Sequence, residues 1–535
     1  MLIFALITMF LLGYAICVVF GAKHYMHMYQ LNSYKPRVQQ QWIKKNSKSI
    51  WGKSLPALLI IPICLLFPKT GLTIGGIYYI IIAYMNRSTK AKKPLVYTNR
   101  VKRLMTTVLI LTLGACVGAF LPAYLTFLNK STISYQDKMS AKLVLSLVTV
   151  LYYIALPYIV LIADYINKPI EKAINNRFIK EAKNIIASMP ELKVVGITGS
   201  YGKTSVKYYL TSLLSAKYNV LMTPESYNTT LGVVRTVRER LRATHEIFVC
   251  EMGARNVGDI KEICDIVHPK YGIITSVGPQ HLESFKTIDN IKKTKFELAD
   301  SLPEDGIAFL NANDENIKSV GYNRKNITYG VDEGDYKACD LKLSSKGTSF
   351  TMICPNGEKA EFSTKLIGRH NVQNVAGAIA CANTLGVPLS SLQAPVRRLE
   401  AVEHRLKLKK QGRITIIDDA YNSNPNGTKV ALSTLAMFDG IKVVVTPGMV
   451  ELGDKQDFYN KDFGERCADV CDYIILVGKK QTESIALGVR EKEFDESKLI
   501  ICDTIDEAFK QLYMIDAQGK ELIALLENDL PDNFL

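Results

Sequence analysis

The chain has 535 residues, 48% hydrophobic and 22% charged, with no low-complexity bias. That excludes wholesale disorder and leaves room for roughly two to four domains. The net charge of +15 points to nucleic acid only until it is divided: residues 1–170 hold 19 Lys+Arg and two acids (Asp137, Asp164), whereas the remainder holds 47 basic and 49 acidic groups. The basic excess lies in the most apolar region, and the near-neutral remainder has no electrostatic footprint for nucleic acid.

In chain order, residues 2–22, 104–128 and 143–162 are apolar runs long enough to cross a bilayer. The first lacks a basic n-region and a small-x-small cleavage site, so no cleaved signal peptide is expected. Residues 55–84 are apolar but broken by Phe67-Pro68-Lys69-Thr70-Gly71. At ~20 residues per crossing they are too few to span twice, and they predict a short helical hairpin or a re-entrant segment. Residues 23–54 and 85–103 each carry seven Lys/Arg and no acid, whereas 129–141 carry only Lys130, Asp137 and Lys138. The positive-inside rule places the two basic loops in the cytoplasm and 129–141 outside. Residues 1–164 are therefore expected to be a multi-pass transmembrane helical domain in the cell membrane, its basic loops attracting anionic lipid, with everything after it cytoplasmic. Ile170, Ile174, Phe178, Ala182 and Ile185 recur at helical spacing and predict an amphipathic linker helix over 165–190.

From residue 192 short β-rich runs alternate with amphipathic stretches: 193–198, 247–251, 271–276, 307–311, 413–418, 442–446, 473–477, 499–502 and 522–526. This is an α/β pattern with parallel sheets covered by helices. A β-rich insertion is expected near 341–362, turning at Pro355-Asn356-Gly357. A boundary near 396–406 gives a central domain over 191–398 and a C-terminal domain over 399–535. The 11 cysteines are scattered, with Cys467 and Cys471 the closest pair, and read as reduced thiols rather than disulfides or a zinc site.

The strongest motif is Val195-Gly196-Ile197-Thr198-Gly199-Ser200-Tyr201-Gly202-Lys203-Thr204-Ser205, a strand entering a glycine-rich loop that opens a helix. Glycines admit phosphate oxygens to backbone N–H groups, and the helix N-terminus favours their charge. Lys203 can reach the terminal phosphates and Thr204 can ligate Mg²⁺. Strict spacing would put glycine at Ile197. An ordinary tight turn explains the glycines but not Gly-Lys-Thr at the mouth of a helix. Glu251, in Phe248-Val249-Cys250-Glu251-Met252-Gly253-Ala254, ends an apolar strand, where a metal ligand or a solvated acid would stand alike. His281 follows another strand, and Lys295 lies in a basic helical stretch. Alone, each reads as structural.

Together these elements resemble the Mur ligase family, the ATP-dependent amide ligases of peptidoglycan precursor synthesis, and within it the MurF type that adds D-alanyl-D-alanine. Thr198–Thr204 is similar to the family's TGSNGKT loop with Tyr201 for Asn. Asn228-Thr229-Thr230 resembles its substrate loop, Glu251-Met252-Gly253-Ala254 its E-L-G-A, and His281-Leu282-Glu283 its H-L-E. Asn311-Ala312-Asn313-Asp314 resembles N-x-D-D, and Gly368-Arg369-His370-Asn371-Val372-Gln373-Asn374 resembles G-x-H-N-x-x-N. Arg405 matches the hinge arginine, Asp418-Asp419-Ala420-Tyr421-Asn422-Ser423-Asn424-Pro425 resembles D-D-S-Y-N-A-N-P, and Met449-Val450-Glu451-Leu452-Gly453 resembles M-x-E-L-G.

The resemblance implies a P-loop central domain and a Rossmann-like C-terminal domain. It implies ATP and Mg²⁺ as cofactors, with Lys203, Glu251, His281 and Lys295 catalytic. Thr204, Glu251, His281 and Lys295 would hold the metal, Lys295 as a carbamate. Gly199, Ser200, Gly202, Lys203, Thr204, Ser205, Asn311, Asn371, Asn374, Arg405 and Asp419 would bind the nucleotide. Asn228, Thr229, Thr230, Tyr421, Asn422 and Asn424 would meet the substrate. The expected reaction joins an amino acid or dipeptide to the carboxylate of a UDP-linked or lipid-linked cell-wall precursor through an acyl phosphate. A polyglutamate-type ligase and a non-catalytic membrane-anchored scaffold are the alternatives. Two departures bear on the substrate: a membrane domain stands in place of the family's UDP-sugar domain, and the C-terminal K-G-S segment is absent.

Overall fold

The structure, a computed structural model, describes residues 2–87, 94–128, 135–225, 227–421 and 423–529. The basic-loop residues Lys90, Lys92 and Lys93, the expected outer-loop residue Lys130 and the expected substrate residue Asn422 lie outside them. The chain divides into two compact units, one ending at Ile174 and the other running from Asn175 to Asp529.

The first unit is helical. Among the described residues, four helical stretches are long and apolar enough to cross a membrane: Ala5–Leu31, Ser47–Leu66, Asn99–Gly118 and Lys142–Ala187. Residues 55–84 do fold back at Phe67, but the first arm of the hairpin starts at Ser47 rather than Leu55. Its partner is the helix Pro68–Met85, and the Tyr78 hydroxyl donates to Lys53 O at 2.5 Å across the two arms. Each arm is thus about 27–30 Å long at ~1.5 Å per residue, longer than the short hairpin expected. The first helix packs on Pro68–Met85 through glycines, since a Cβ on Gly13 would stand 2.9 Å from Gly76 O. Acids near the end of the apolar region are paired: Asp164 with Arg100 at 3.0 Å, and Glu171 with Arg103 at 2.6 Å.

The separate linker helix is not formed. One helix runs from Tyr135 to Ala187 through Pro157 and Pro169. Proline removes one ladder bond yet keeps a helical φ, and the helix continues through both positions. The stripe divides accordingly. Ile170 is half-exposed, whereas Phe178, Ala182 and Ile185 pack into the second unit.

The second unit holds two sheets. The larger has nine strands: β1 Lys193–Thr198, β2 Val220–Met222, β3 Ile247–Glu251, β4 Tyr271–Ile274, β5 Ile307–Asn311, β6 Asn326–Val331, β7 Tyr336–Ser344, β8 Gly347–Ile353 and β9 Lys359–Thr364. Their order is β2-β3-β1-β4-β5-β6-β7-β8-β9. Pairing is parallel from β2 to β7, and the expected insertion is the antiparallel meander β7-β8-β9. The central strands are buried on both faces, as parallel strands between helices must be. Helices Lys203–Leu214 and Arg369–Thr384 cover one face; Thr230–Arg240, Asp259–Val267 and Ile288–Asp300 cover the other. The strand order reverses at β1, and ligands of such sheets bind beyond the carboxyl ends at that switch point.

The smaller sheet comprises β10 Lys407–Gln411, β11 Ile414–Asp419, β12 Ile441–Thr446, β13 Tyr473–Val477, β14 Leu499–Cys502 and β15 Leu522–Glu527, in the order β10-β11-β15-β12-β13-β14. Only the β10–β11 hairpin is antiparallel. Strands β2, β6 and β10 were not expected from sequence. Cys467 and Cys471 are free and buried.

Candidate active site

The glycine-rich loop joins β1 to the helix Lys203–Leu214. Gly202 caps that helix at φ 81°, and a Cβ there would stand 2.6 Å from Asn374 Oδ1, so only glycine fits. The loop is braced from β4's end: Ser200 Oγ donates to Gly278 O at 3.0 Å, and Thr275 and Ser276 donate to Tyr201 O. Tyr201 thus serves through its backbone. The Lys203 ammonium folds back on the loop, donating to Gly199 O at 2.6 Å and Ser200 O at 3.2 Å. Burial lowers its pKa to about 8, against the pull of Glu251.

Glu251 ends β3 and is 1% exposed. Its Oε1 accepts from Thr204 Oγ1 at 3.1 Å and Asn228 Nδ2 at 3.0 Å. Its Oε2 lies 3.1 Å from Lys207 Nζ, an ion pair without hydrogen-bond alignment, and has no other partner. Lys207 is fully buried one turn beyond Lys203, and sequence reasoning passed over it. The available signal was a lysine at i+4 from Lys203 on an otherwise apolar helix face. The donor set suits Mg²⁺ in kind: a buried carboxylate, Glu251, meets the Thr204 hydroxyl at the mouth of the glycine-rich loop, and hard oxygen ligands of this sort are the ones Mg²⁺ takes.

Lys295 is buried in the helix Ile288–Asp300, and desolvation holds its amine well below the usual lysine range, with Lys203 adding to the effect. Burial also lowers His281, opposed by its Glu451 partner. His281 Nδ1 contacts Glu451 Oε2, and Arg255 stands 3.4 Å from Glu451 Oε1. Glu451 belongs to the C-terminal lobe, so this contact ties the two lobes together. Gly278 lies close to Asn426 at the same interface, where a Cβ would stand 2.6 Å from Asn426 Nδ2.

From the C-terminal lobe, the Arg405 guanidinium stacks 4.3 Å over the half-exposed Tyr421 ring. Its charge bears on both Lys203 and Asp419. Other expected site residues are engaged locally. Asn371 accepts from Tyr209 at 3.0 Å and donates to Ile367 O, while Asn311 donates to Thr275 O and accepts from Gln373. Asn424 caps the helix Pro425–Leu435, Thr229 caps Thr230–Arg240, and Thr230 donates to Glu262 at 2.6 Å. Ser205 is buried on the loop's own helix. The structure therefore gathers Lys203, Thr204, Glu251 and Asn228 directly, with Asn374 against the loop and His281, Lys295 and Arg405 within electrostatic reach of Lys203.

Comparison with known proteins places the same region. Residues 197–382 match the Mur ligase middle domain and 404–526 the Mur ligase glutamate ligase domain. The chain is 32% identical over 343 residues to the UDP-N-acetylmuramoyl-tripeptide--D-alanyl-D-alanine ligase of Escherichia coli K12, covering 63% of this chain and 75% of that one. With its Bacillus subtilis 168 counterpart it shares 31% over 292 residues, 54% and 63% of the two chains. Crystal structures of MurF from Acinetobacter baumannii (TM-score 0.61, 29% identity) and of MurF ligase from Thermotoga maritima in complex with ADP (0.60, 25%) each cover 66% of this chain, and 77% and 80% of their own.

Proposed function

Since the chain belongs to the Mur ligase family and is an ATP-dependent peptide ligase of the MurF kind, we propose that it joins D-alanyl-D-alanine, or a related amino acid or dipeptide, to the free carboxylate of a muramoyl-peptide precursor. The observation that carries this is the cluster at β1 and β3: a phosphate loop whose Lys203 and Thr204 meet the buried Glu251, facing Arg405 of the second lobe.

The acceptor carboxylate attacks the γ-phosphorus in line. Lys203 neutralises charge on the transferred group, and the loop amides hold the departing diphosphate. The acyl phosphate is then attacked by the amine, giving an amide and phosphate. Thr204 and Glu251, with His281 and a carbamylated Lys295 by resemblance, would hold Mg²⁺, which supplies further charge neutralisation on the phosphates. The His281–Glu451 and Gly278–Asn426 contacts close the lobes, and closure excludes water from an intermediate that water destroys.

The apolar first unit favours a second acceptor. Its four candidate spans precede the matched region, and a lipid-linked precursor held at a membrane surface would present its carboxylate to a membrane-anchored ligase. Mass spectrometry after incubation with ATP, D-alanyl-D-alanine and either precursor decides between them. Lys203→Ala is expected to slow amide formation by about 10²–10³-fold, as loss of one preorganised charge at a transition state does. Normal amide formation by that variant would overturn the site.

A further inference from the structure

The ligation scheme above uses one lysine of the loop helix and leaves a second idle. Lys207 follows Lys203 by one turn on the helix Lys203–Leu214, and its side chain is fully buried. A lysine is almost never buried so completely unless its charge is paired. The counter-ion is Glu251, whose Oε2 lies 3.1 Å away. The same ammonium also donates to the backbone carbonyl of Glu225 at 2.5 Å, 18 positions along the chain.

Charge pairing alone does not call for that second contact. Glu225 lies on the loop between β2 and the helix Thr230–Arg240, the loop that carries Asn228. This loop closes on the end of β3 at three further points. Thr223 Oγ1 accepts from Glu251 N at 3.0 Å, Asn228 O accepts from Gly253 N at 2.7 Å, and Asn228 Nδ2 donates to Glu251 Oε1 at 3.0 Å. Glu225 itself stands at φ 41°, in the left-handed region that a residue with a side chain disfavours, so the surrounding contacts hold it there. Both oxygens of Glu251 are therefore tied to the loop, Oε1 through Asn228 and Oε2 through Lys207. Oε1 also accepts from Thr204 at the mouth of the phosphate loop.

A carboxylate held from both sides cannot turn without moving what holds it. A shift of the loop at Glu225 draws on the ammonium, and the ammonium draws on the carboxylate beside the phosphate loop. We infer that Lys207 is a positioning residue that makes the acceptor loop and the phosphate end of the site one unit, so that occupancy of either favours occupancy of the other. Such coupling is reciprocal: the nucleotide tightens the acceptor by the factor by which the acceptor tightens the nucleotide. This rests on the ligase reading, with Asn228, Thr229 and Thr230 at the acceptor, and adds to it the part that makes the two sites answer to each other. Methionine at position 207 would fill the space but release the Glu225 carbonyl and leave Glu251 Oε2 without its cation.

The test is titration calorimetry on the full chain with UDP-muramoyl tripeptide, with and without saturating Mg²⁺ and the β,γ-imido analogue of ATP, which binds but does not react. Wild type should bind the tripeptide about 10-fold or more tightly when the analogue is present, whereas in Lys207→Met the ratio of the two Kd values should fall to within about twofold of one. Leu213→Ala is the control. It opens a cavity at a fully buried position nearly two turns beyond Lys207 on the same helix, and should lower stability while keeping the wild-type ratio. A wild-type ratio of one, a wild-type ratio kept by Lys207→Met, or an equal loss in Leu213→Ala would overturn the inference. Hydrogen exchange on the wild type needs neither the variant to fold nor the tripeptide to bind. The analogue alone should slow exchange of the Tyr227 and Asn228 amides about fivefold or more, and amides indifferent to it would overturn the coupling. Wild-type protein that does not bind the analogue would instead overturn the ligase reading, and the inference with it.

Discussion

Removing the Glu251 carboxylate should do two separable kinds of damage. Glu251 is the counter-ion of Lys207, and the side chains of the pair are 2% and 0% exposed. Glu251→Ala leaves an ammonium inside the sheet–helix layer with no counter-charge, and also strips the Thr204 hydroxyl and the Asn228 amide of their acceptor. Breaking one side of a buried ion pair costs about 3–5 kcal/mol, because the remaining charge stays desolvated. At ~1.4 kcal/mol per decade that corresponds to a fall in hydrogen-exchange protection of about a hundredfold to a few thousandfold for the amides of β3 and its partner β1. The matched control is Glu251→Ala with Lys207→Met, which replaces the stranded ion by an apolar chain of similar length. Protection should return to within about tenfold of wild type, as buried pairs exchanged for apolar groups are often neutral. Ligation should stay lost in both variants, since neither carries the carboxylate at the phosphate loop. Exchange in the single variant within tenfold of wild type would refute the claim that this pair holds β3 to the loop helix. So would a double variant no better protected than the single.

Three further outcomes are expected. Burial holds the Lys295 amine well below the usual lysine range, which favours uptake of CO₂, so turnover should fall in CO₂-depleted buffer and recover with bicarbonate; a rate indifferent to CO₂ would assign Lys295 to packing alone. Burial pushes Asp419, which the resemblance places at the nucleotide, up to about 6; KM for ATP should rise as pH falls through about 6 and the carboxylate is neutralised, and a flat profile would take Asp419 out of the nucleotide site. Four stretches of spanning length should keep the chain in the membrane pellet through an alkaline carbonate wash, and its release would make the apolar helices a soluble bundle instead.

Local patterns carried much of this in advance. The phosphate loop was legible because its chemistry is written in consecutive residues: Gly199 and Gly202 for the turn, then Lys203 and Thr204 at the helix mouth. Long buried strands such as β3 and β13 were legible from unbroken apolar runs, and the β7-β8-β9 meander from its Pro355-Asn356-Gly357 turn. What remained hidden depends on partners far along the chain. Lys207 reads as a solvated helix lysine until β3 brings Glu251 to it. Glu527 reads as a strand-end acid until the parallel register sets it beside Asp419, 108 positions earlier by the numbering of the pair. Glu451 was seen as part of a motif, but its contact with His281 exists only because two lobes meet. Short or half-buried strands gave too little periodicity: β2 has three residues, none fully buried, and β10 is lysine-rich.

The route of one oxygen atom bears most directly on the proposed chemistry. With the acceptor carboxylate labelled by ¹⁸O, attack on the γ-phosphorus should carry one labelled oxygen per turnover into inorganic phosphate, and the amide should keep the other. Phosphate that leaves with no label, while labelled amide is still formed at the wild-type rate, would contradict passage through an acyl phosphate.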